Sequence, residues 1–110
     1  MQMNQYQALA QRTMNADIDS FDQVSHALHG LSAEVGELHS LYQKKYQGHP
    51  LEAEHLKKEV GDILWFIAEY CTANGWMLED IARMNIDKLK ARYPEGFAPE
   101  NSLHRKDGDI

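Results

Sequence analysis

The sequence predicts an all-α protein, a small four-helix bundle-like fold followed by a polar C-terminal arm. Three observations predict it. Prolines are few, at positions 50, 94 and 99, and the later two fall in the C-terminal tail. No stretch alternates apolar and polar residues between hairpin signals, so there is no case for strands. Apolar residues recur instead three and four apart through the middle of the chain. A first helix is expected over about Asn4 to Met14. A second runs from about Phe21 to Tyr46, with Ser20 and Gln23 as its capping box, and Gly48-His49-Pro50 stops it. A third covers about Leu51 to Ala73 and ends at the terminating pair Asn74-Gly75. A fourth covers about Leu78 to Arg92, with Glu79 and Asp80 in its first turn, where acids suit the helix dipole. Pro94 ends it. The helical core is therefore placed at about 4–93, and the polar, Gly- and Pro-punctuated stretch 94–110 reads as an extended arm.

A length of 110 residues is one domain's worth of chain, so 1–110 reads as a single domain. Hydrophobic residues at 43% and charged residues at 25% place it among folded globular chains rather than disordered ones. No apolar run approaches the roughly 18–20 residues that span a bilayer, so no membrane partner is expected. The start of the chain is polar, with no basic region and no hydrophobic segment, and does not read as a secretory signal. One cysteine, Cys71, excludes an intrachain disulfide and a cysteine-based zinc site. It suits a reducing compartment, so the expected location is cytoplasmic. The formal net charge of −6 argues against a nucleic-acid polymer as partner, because such partners need a basic face.

Two helices carry one repeated motif. Glu34-Val35-Gly36-Glu37-Leu38 recurs 25 residues later as Glu59-Val60-Gly61-Asp62-Ile63. On a wheel at about 100° per residue, Leu28, Leu31, Val35, Leu38 and Tyr42 form the apolar stripe of the second helix. Leu56, Val60, Ile63, Ile67 and Cys71 form that of the third. Glu34 and Glu37 flank the first stripe; Glu59 and Asp62 flank the second in the same sense. Spacing i, i+3 turns both acids of a pair the same way. Helices packed through these stripes as an antiparallel pair would bring the four acids together. Ionised carboxylates gathered beside a core cost several kcal/mol unless cations neutralise them. A donor set of hard oxygens suits Mg²⁺, or Mn²⁺, better than zinc. The glycines inside both helices each cost about 1 kcal/mol relative to alanine, an expense consistent with close approach of a neighbouring helix. A lone Glu-x-x-Glu pair is most often a solvated face, but two pairs in a repeated frame favour a metal site.

Glu34-x-x-Glu37, 21 residues, then Glu59-x-x-Asp62 resembles the signature of the all-α nucleoside triphosphate pyrophosphohydrolases, which include MazG-like proteins, dimeric dUTPases and dCTP pyrophosphatases. The segment from Asn85 to Pro94, followed by Gly96-Phe97, is similar to the MazG-like fourth helix and its exit. The resemblance covers about residues 25 to 97, in the compact single-unit form. It implies hydrolysis of a nucleoside triphosphate, a dNTP in the favoured reading, to a monophosphate and pyrophosphate, as nucleotide-pool house-cleaning. It also implies that Glu34, Glu37, Glu59 and Asp62 hold Mg²⁺ and that one of them deprotonates the attacking water.

Other residues take roles beside that reading. Ile81, Asn85, Lys88 and Arg92 share one stripe of the fourth helix. Lys88 and Arg92 are candidates for phosphate contact, and Asn85 for a base or sugar edge. Phe66, one turn after Asp62, is a candidate to stack on the nucleobase, in competition with a core role. Lys44 and Lys45 read as surface lysines at a helix end, Trp76 as a cover for a helix end and Cys71 as a small core residue. The histidines read as surface or core residues. Glu52-x-x-His55 matches half of a di-iron motif, which keeps a di-iron or manganese carboxylate bundle open beside a non-catalytic helical module. Trp65 and Ala68 fall on the back of the third helix. That surface, unburied in so small a chain, predicts a homo-oligomer, a tetramer ahead of a dimer.

Overall fold

Every element of the computed structural model, which describes Met1–Ile110, is a helix: α1 Met3–Gln11, α2 Ser20–Lys45, α3 Ala53–Ala73, α4 Leu78–Arg92 and α5 Pro99–Leu103. The all-α expectation holds, and the ends differ in instructive ways. The first helix stops at Gln11 rather than near Met14, and Thr13 turns its hydroxyl back onto the Ala10 carbonyl. The cap of α2 is Asp19, whose side chain accepts the Asp22 N–H at 2.8 Å. The expected Ser20–Gln23 capping box is not made, because Gln23 is buried on another errand. Helix α3 starts two residues late, after Glu52. It ends where Asn74-Gly75 predicts: Gly75 N–H donates to Thr72 O and Trp76 N–H to Cys71 O, with Gly75 at φ 75°. That left-handed turn is open to glycine at no steric cost.

The chain divides into two compact units, Met1–Leu78 and Glu79–Ile110. In the first, α3 packs against both α2 and α1. Its buried cluster is Ala10, Ala68, Cys71 and Leu78, with Tyr6, Trp65 and Ile67 laid against it. Gln7, itself buried, stitches this cluster: its amide donates to Thr72 Oγ1 and the Trp76 carbonyl and accepts the Leu78 N–H. Every polar atom of that side chain near the core is thereby used, which keeps its burial inexpensive.

The back of α3 is therefore not bare. Ala68 is buried, and the Trp65 indole donates to Thr13 Oγ1 at 2.8 Å, so the chain's own α1 segment covers the face expected to await a partner. The surface left open is the other one. Leu28, Val35 and Tyr42 of α2 and Val60 and Leu64 of α3 are exposed, Val60 by 53%. Leu31, Leu38, Leu56, Ile63 and Ile67 are half-buried, so the stripes meet along one edge only.

In the second unit, α4 carries Glu79 and Asp80 in its first turn and Lys90 and Arg92 in its last, as the dipole favours. The following residues are not extended throughout. Tyr93 and Phe97 meet edge to face with centroids 5.4 Å apart, α5 forms one short turn of helix, and the chain returns to Arg92.

Candidate metal and nucleotide site

Antiparallel packing of α2 on α3 sets a register that runs through three levels. At one end Gln23 and His26 meet Glu69; in the middle Gly30 meets Phe66; beyond it Glu34 meets Glu59 and Asp62. The middle level depends on a missing side chain. A Cβ at Gly30 would overlap the Phe66 ring, so glycine there lets the ring enter between the helices. Nothing comes near a Cβ built at Gly36 or Gly61, so the close approach anticipated at those two positions is made at Gly30.

Glu34, Glu59 and Asp62 each place a carboxylate oxygen within 4.8 Å of the others. Glu34 and Glu59 are half-buried and Asp62 is exposed. Glu37 is exposed and stands outside this trio, but its charge acts on Glu34. The Glu34 carboxyl is pushed above the usual carboxylate range. A hydrogen bond shared with Glu59 is the largest cause, followed by burial and then by the charges of Asp62, Glu59 and Glu37. Glu59 Oε1 lies 3.3 Å from His55 Nε2, while Oε2 is buried and, with its acidic neighbours ionised, has no donor. A bare buried carboxylate oxygen between two other acids is what a cation site presents, and a proton on Glu34 is the alternative way to satisfy it. The donors in the trio are all carboxylate oxygens, so the residues fit a hard divalent cation.

Phe66 sits between α2 and α3 rather than standing clear as a platform. It lies 5.9 Å from the His26 ring and edge-on to Trp65 at 5.0 Å. In the second unit, Asn85 is exposed. Lys88 Nζ donates to the Ile110 carbonyl at 2.9 Å, and Arg92 donates to both carboxylate oxygens of Asp109 at 2.8 and 2.6 Å. The two cations are thus engaged by the end of their own unit. Trp76 packs edge-on to Tyr70 at the end of α3, and Cys71 is buried, with its thiol pushed up by that burial.

Sequence reasoning missed the Glu69 level. Glu69 is 0% exposed, accepts from Gln23 Nε2, and lies within 2.9 Å of His26 Nδ1. The signal was present: 62, 66 and 69 continue one face of α3, so an acid there points toward α2 like Asp62.

A family model described as the MazG nucleotide pyrophosphohydrolase domain matches residues 22–97. The Gene 37 protein of Mycobacterium phage L5 is 26% identical over 85 residues, which cover 73% of this chain and 75% of that protein. No solved structure matches the chain. The matched span takes in both acid pairs, the α2–α3 packing that gathers three of the acids, and the α4 segment through Phe97. With more than half of its residues within that match, the chain belongs to the MazG nucleotide pyrophosphohydrolase family.

Proposed function

We propose that the protein is a Mg²⁺-dependent nucleoside triphosphate pyrophosphohydrolase. It splits the bond between the α- and β-phosphates of dNTPs and clears them from the cytoplasmic pool. The observation that carries this is the trio Glu34, Glu59 and Asp62 with the buried, donorless Oε2 of Glu59. Family membership supports the substrate class. In this reading Glu34, Glu37, Glu59 and Asp62 hold the cation, which when bound supplies Lewis-acid polarisation of the phosphates and a more acidic water. Mn²⁺ fits the same oxygen donors. The chain supplies the rest. One of these acids takes the proton of the attacking water. Lys88 and Arg92 meet the negative charge of the triphosphate, and Asn85 offers a donor and an acceptor to the sugar or base. Phe66 shapes the apolar wall beside Asp62.

The working form is proposed to be a homo-oligomer, a tetramer ahead of a dimer. The support is the exposed row Leu28, Val35, Tyr42, Val60 and Leu64, in place of the back face of α3 that α1 covers. A panel of NTPs and dNTPs with Mg²⁺, read by pyrophosphate release, tests the function. Pyrophosphate with a monophosphate is expected; orthophosphate alone, or no turnover, would overturn it.

A further inference from the structure

The basic groups of this acidic chain are not spread evenly. The C-terminal unit holds a cavity of about 350 Å³ whose lining includes Lys88, Arg92, Arg105 and Lys106 together with Asp107 and Asp109. Four cations thus face two acids there, in a chain of formal net charge −6. The tail reaches the cavity by a turn: Asp109 N–H donates to the Lys106 carbonyl, with Gly108 between them at φ 86°. This left-handed residue aims the Asp109 carboxylate back at Arg92. Both oxygens of Asp109 are gripped by the one guanidinium, and the pair is largely shielded, with side chains 15% and 9% exposed. The hydrogen bonds from Arg92 are the largest cause that holds Asp109 below the usual carboxylate range, and the charges of Arg92, Arg105 and Lys88 add to it against the opposing effect of burial. Lys88 meanwhile donates to the carbonyl of the next residue, Ile110.

A planar carboxylate clamped by a guanidinium fork presents two oxygens in the arrangement that a phosphoryl group presents. The four cations Lys88, Arg92, Arg105 and Lys106 outnumber the two carboxylates of the lining, Asp107 and Asp109. A ligand with more charge and more oxygens would use the same donors better.

We propose that this cavity is an anion site for a phosphoryl chain, either free pyrophosphate or the outer phosphates of a nucleoside triphosphate, and that Asp109 is its tethered internal competitor. The inference deepens the proposed function and rests on it for the source of the ligand. Asp109 holds the donors in place when no phosphate is present and must be displaced for one to enter. Because the competitor is attached to the site, it acts at a high effective concentration and weakens the binding of every incoming anion by a fixed factor.

The test is calorimetric titration of the full chain with pyrophosphate in the presence of a chelator, so that the acid cluster does not contribute. Asp109→Asn, which keeps the shape and removes the charge, is expected to tighten pyrophosphate binding about tenfold. Asp107→Asn makes the same change in net charge beside the same cavity without touching Arg92, and should shift binding by less than about threefold. Arg105→Gln in the wild-type background should weaken binding, which keeps a readout if Asp109→Asn melts early. Equal affinity in wild type and Asp109→Asn, an equal gain in Asp107→Asn, or no loss in Arg105→Gln would each overturn the proposal. A non-hydrolysable nucleoside triphosphate separates the sources: tighter binding than pyrophosphate assigns the site to the nucleotide, and equal or weaker binding assigns it to the free diphosphate. Mg²⁺-supported turnover of dNTPs is read separately. Turnover without the Asp109→Asn gain removes this inference and leaves the proposed function standing, and the gain without turnover does the reverse.

Discussion

Glu59 reaches the acid cluster with one oxygen near His55 and the other buried without a donor, and Glu34 sits beside it with a raised affinity for its proton. Two consequences are measurable. Each of Glu34→Ala, Glu37→Ala, Glu59→Ala and Asp62→Ala should lower pyrophosphate release by about 10²-fold or more while leaving the helical signal unchanged. Full activity in two of the four would sink the shared cation site. The second consequence is a pH dependence. A carboxyl whose folded value lies above its ordinary 4.5 binds its proton more tightly folded than unfolded. Its contribution to stability is complete below 4.5 and is lost as pH rises through the folded value. The metal-free protein should therefore melt lower as pH rises across that window, and Glu34→Gln should flatten the slope. An unchanged slope in Glu34→Gln would assign it to another group. Glu69 behaves differently because it is already satisfied. Glu69→Ala leaves the buried Gln23 amide without its acceptor and should cost about 1–3 kcal/mol in denaturant unfolding, with the chemistry of the acid trio untouched.

At the scale of the helices, the glycines sort themselves by what stands opposite. Gly30→Ala would drive a methyl group into the Phe66 ring and should destabilise the protein by about 1–3 kcal/mol, with Phe66→Leu restoring part of the loss. Gly36→Ala meets no atom of its own chain and should stabilise α2 by up to about 1 kcal/mol. A loss at Gly36 would instead place a second copy against that glycine. The contrast shows what was legible beforehand. Period and punctuation located four helices, and the repeat of Glu34–Leu38 in Glu59–Ile63 located the acids, because both signals are local. Which glycine took the close approach was not local, since it depends on where Phe66 arrives from another helix. Gln23 was misread for a related reason: its spacing from Ser20 suits a cap, but burial against Glu69 outweighs a surface hydrogen bond. The back of α3 was misjudged because a wheel shows which way Trp65 points and not that Thr13 waits there.

For the whole molecule, the exposed row on α2 and α3 sets the expected assembly. Sedimentation at micromolar concentration should show a species well above the chain mass of 12.6 kDa, and Val60→Glu should shift it toward smaller ones. A single species at the chain mass for the unmodified protein would remove the oligomer from the proposed function. The arrangement around Phe66 has an optical consequence as well. The chain has two tryptophans, and they sit in different surroundings. Trp76 is exposed beside Tyr70, whereas Trp65 is half-buried, hydrogen-bonded to Thr13 and edge-on to Phe66. Phe66 follows Asp62 by one turn on the same helix and rests over Gly30 of the helix that carries Glu34. Any tightening of those two helices by a divalent cation presses on the ring that borders the Trp65 indole. Mg²⁺ is therefore expected to shift the emission of Trp65, separated from that of Trp76 by aqueous quencher and read without label, substrate or turnover; emission unchanged at saturating Mg²⁺ would show that no such tightening reaches the ring.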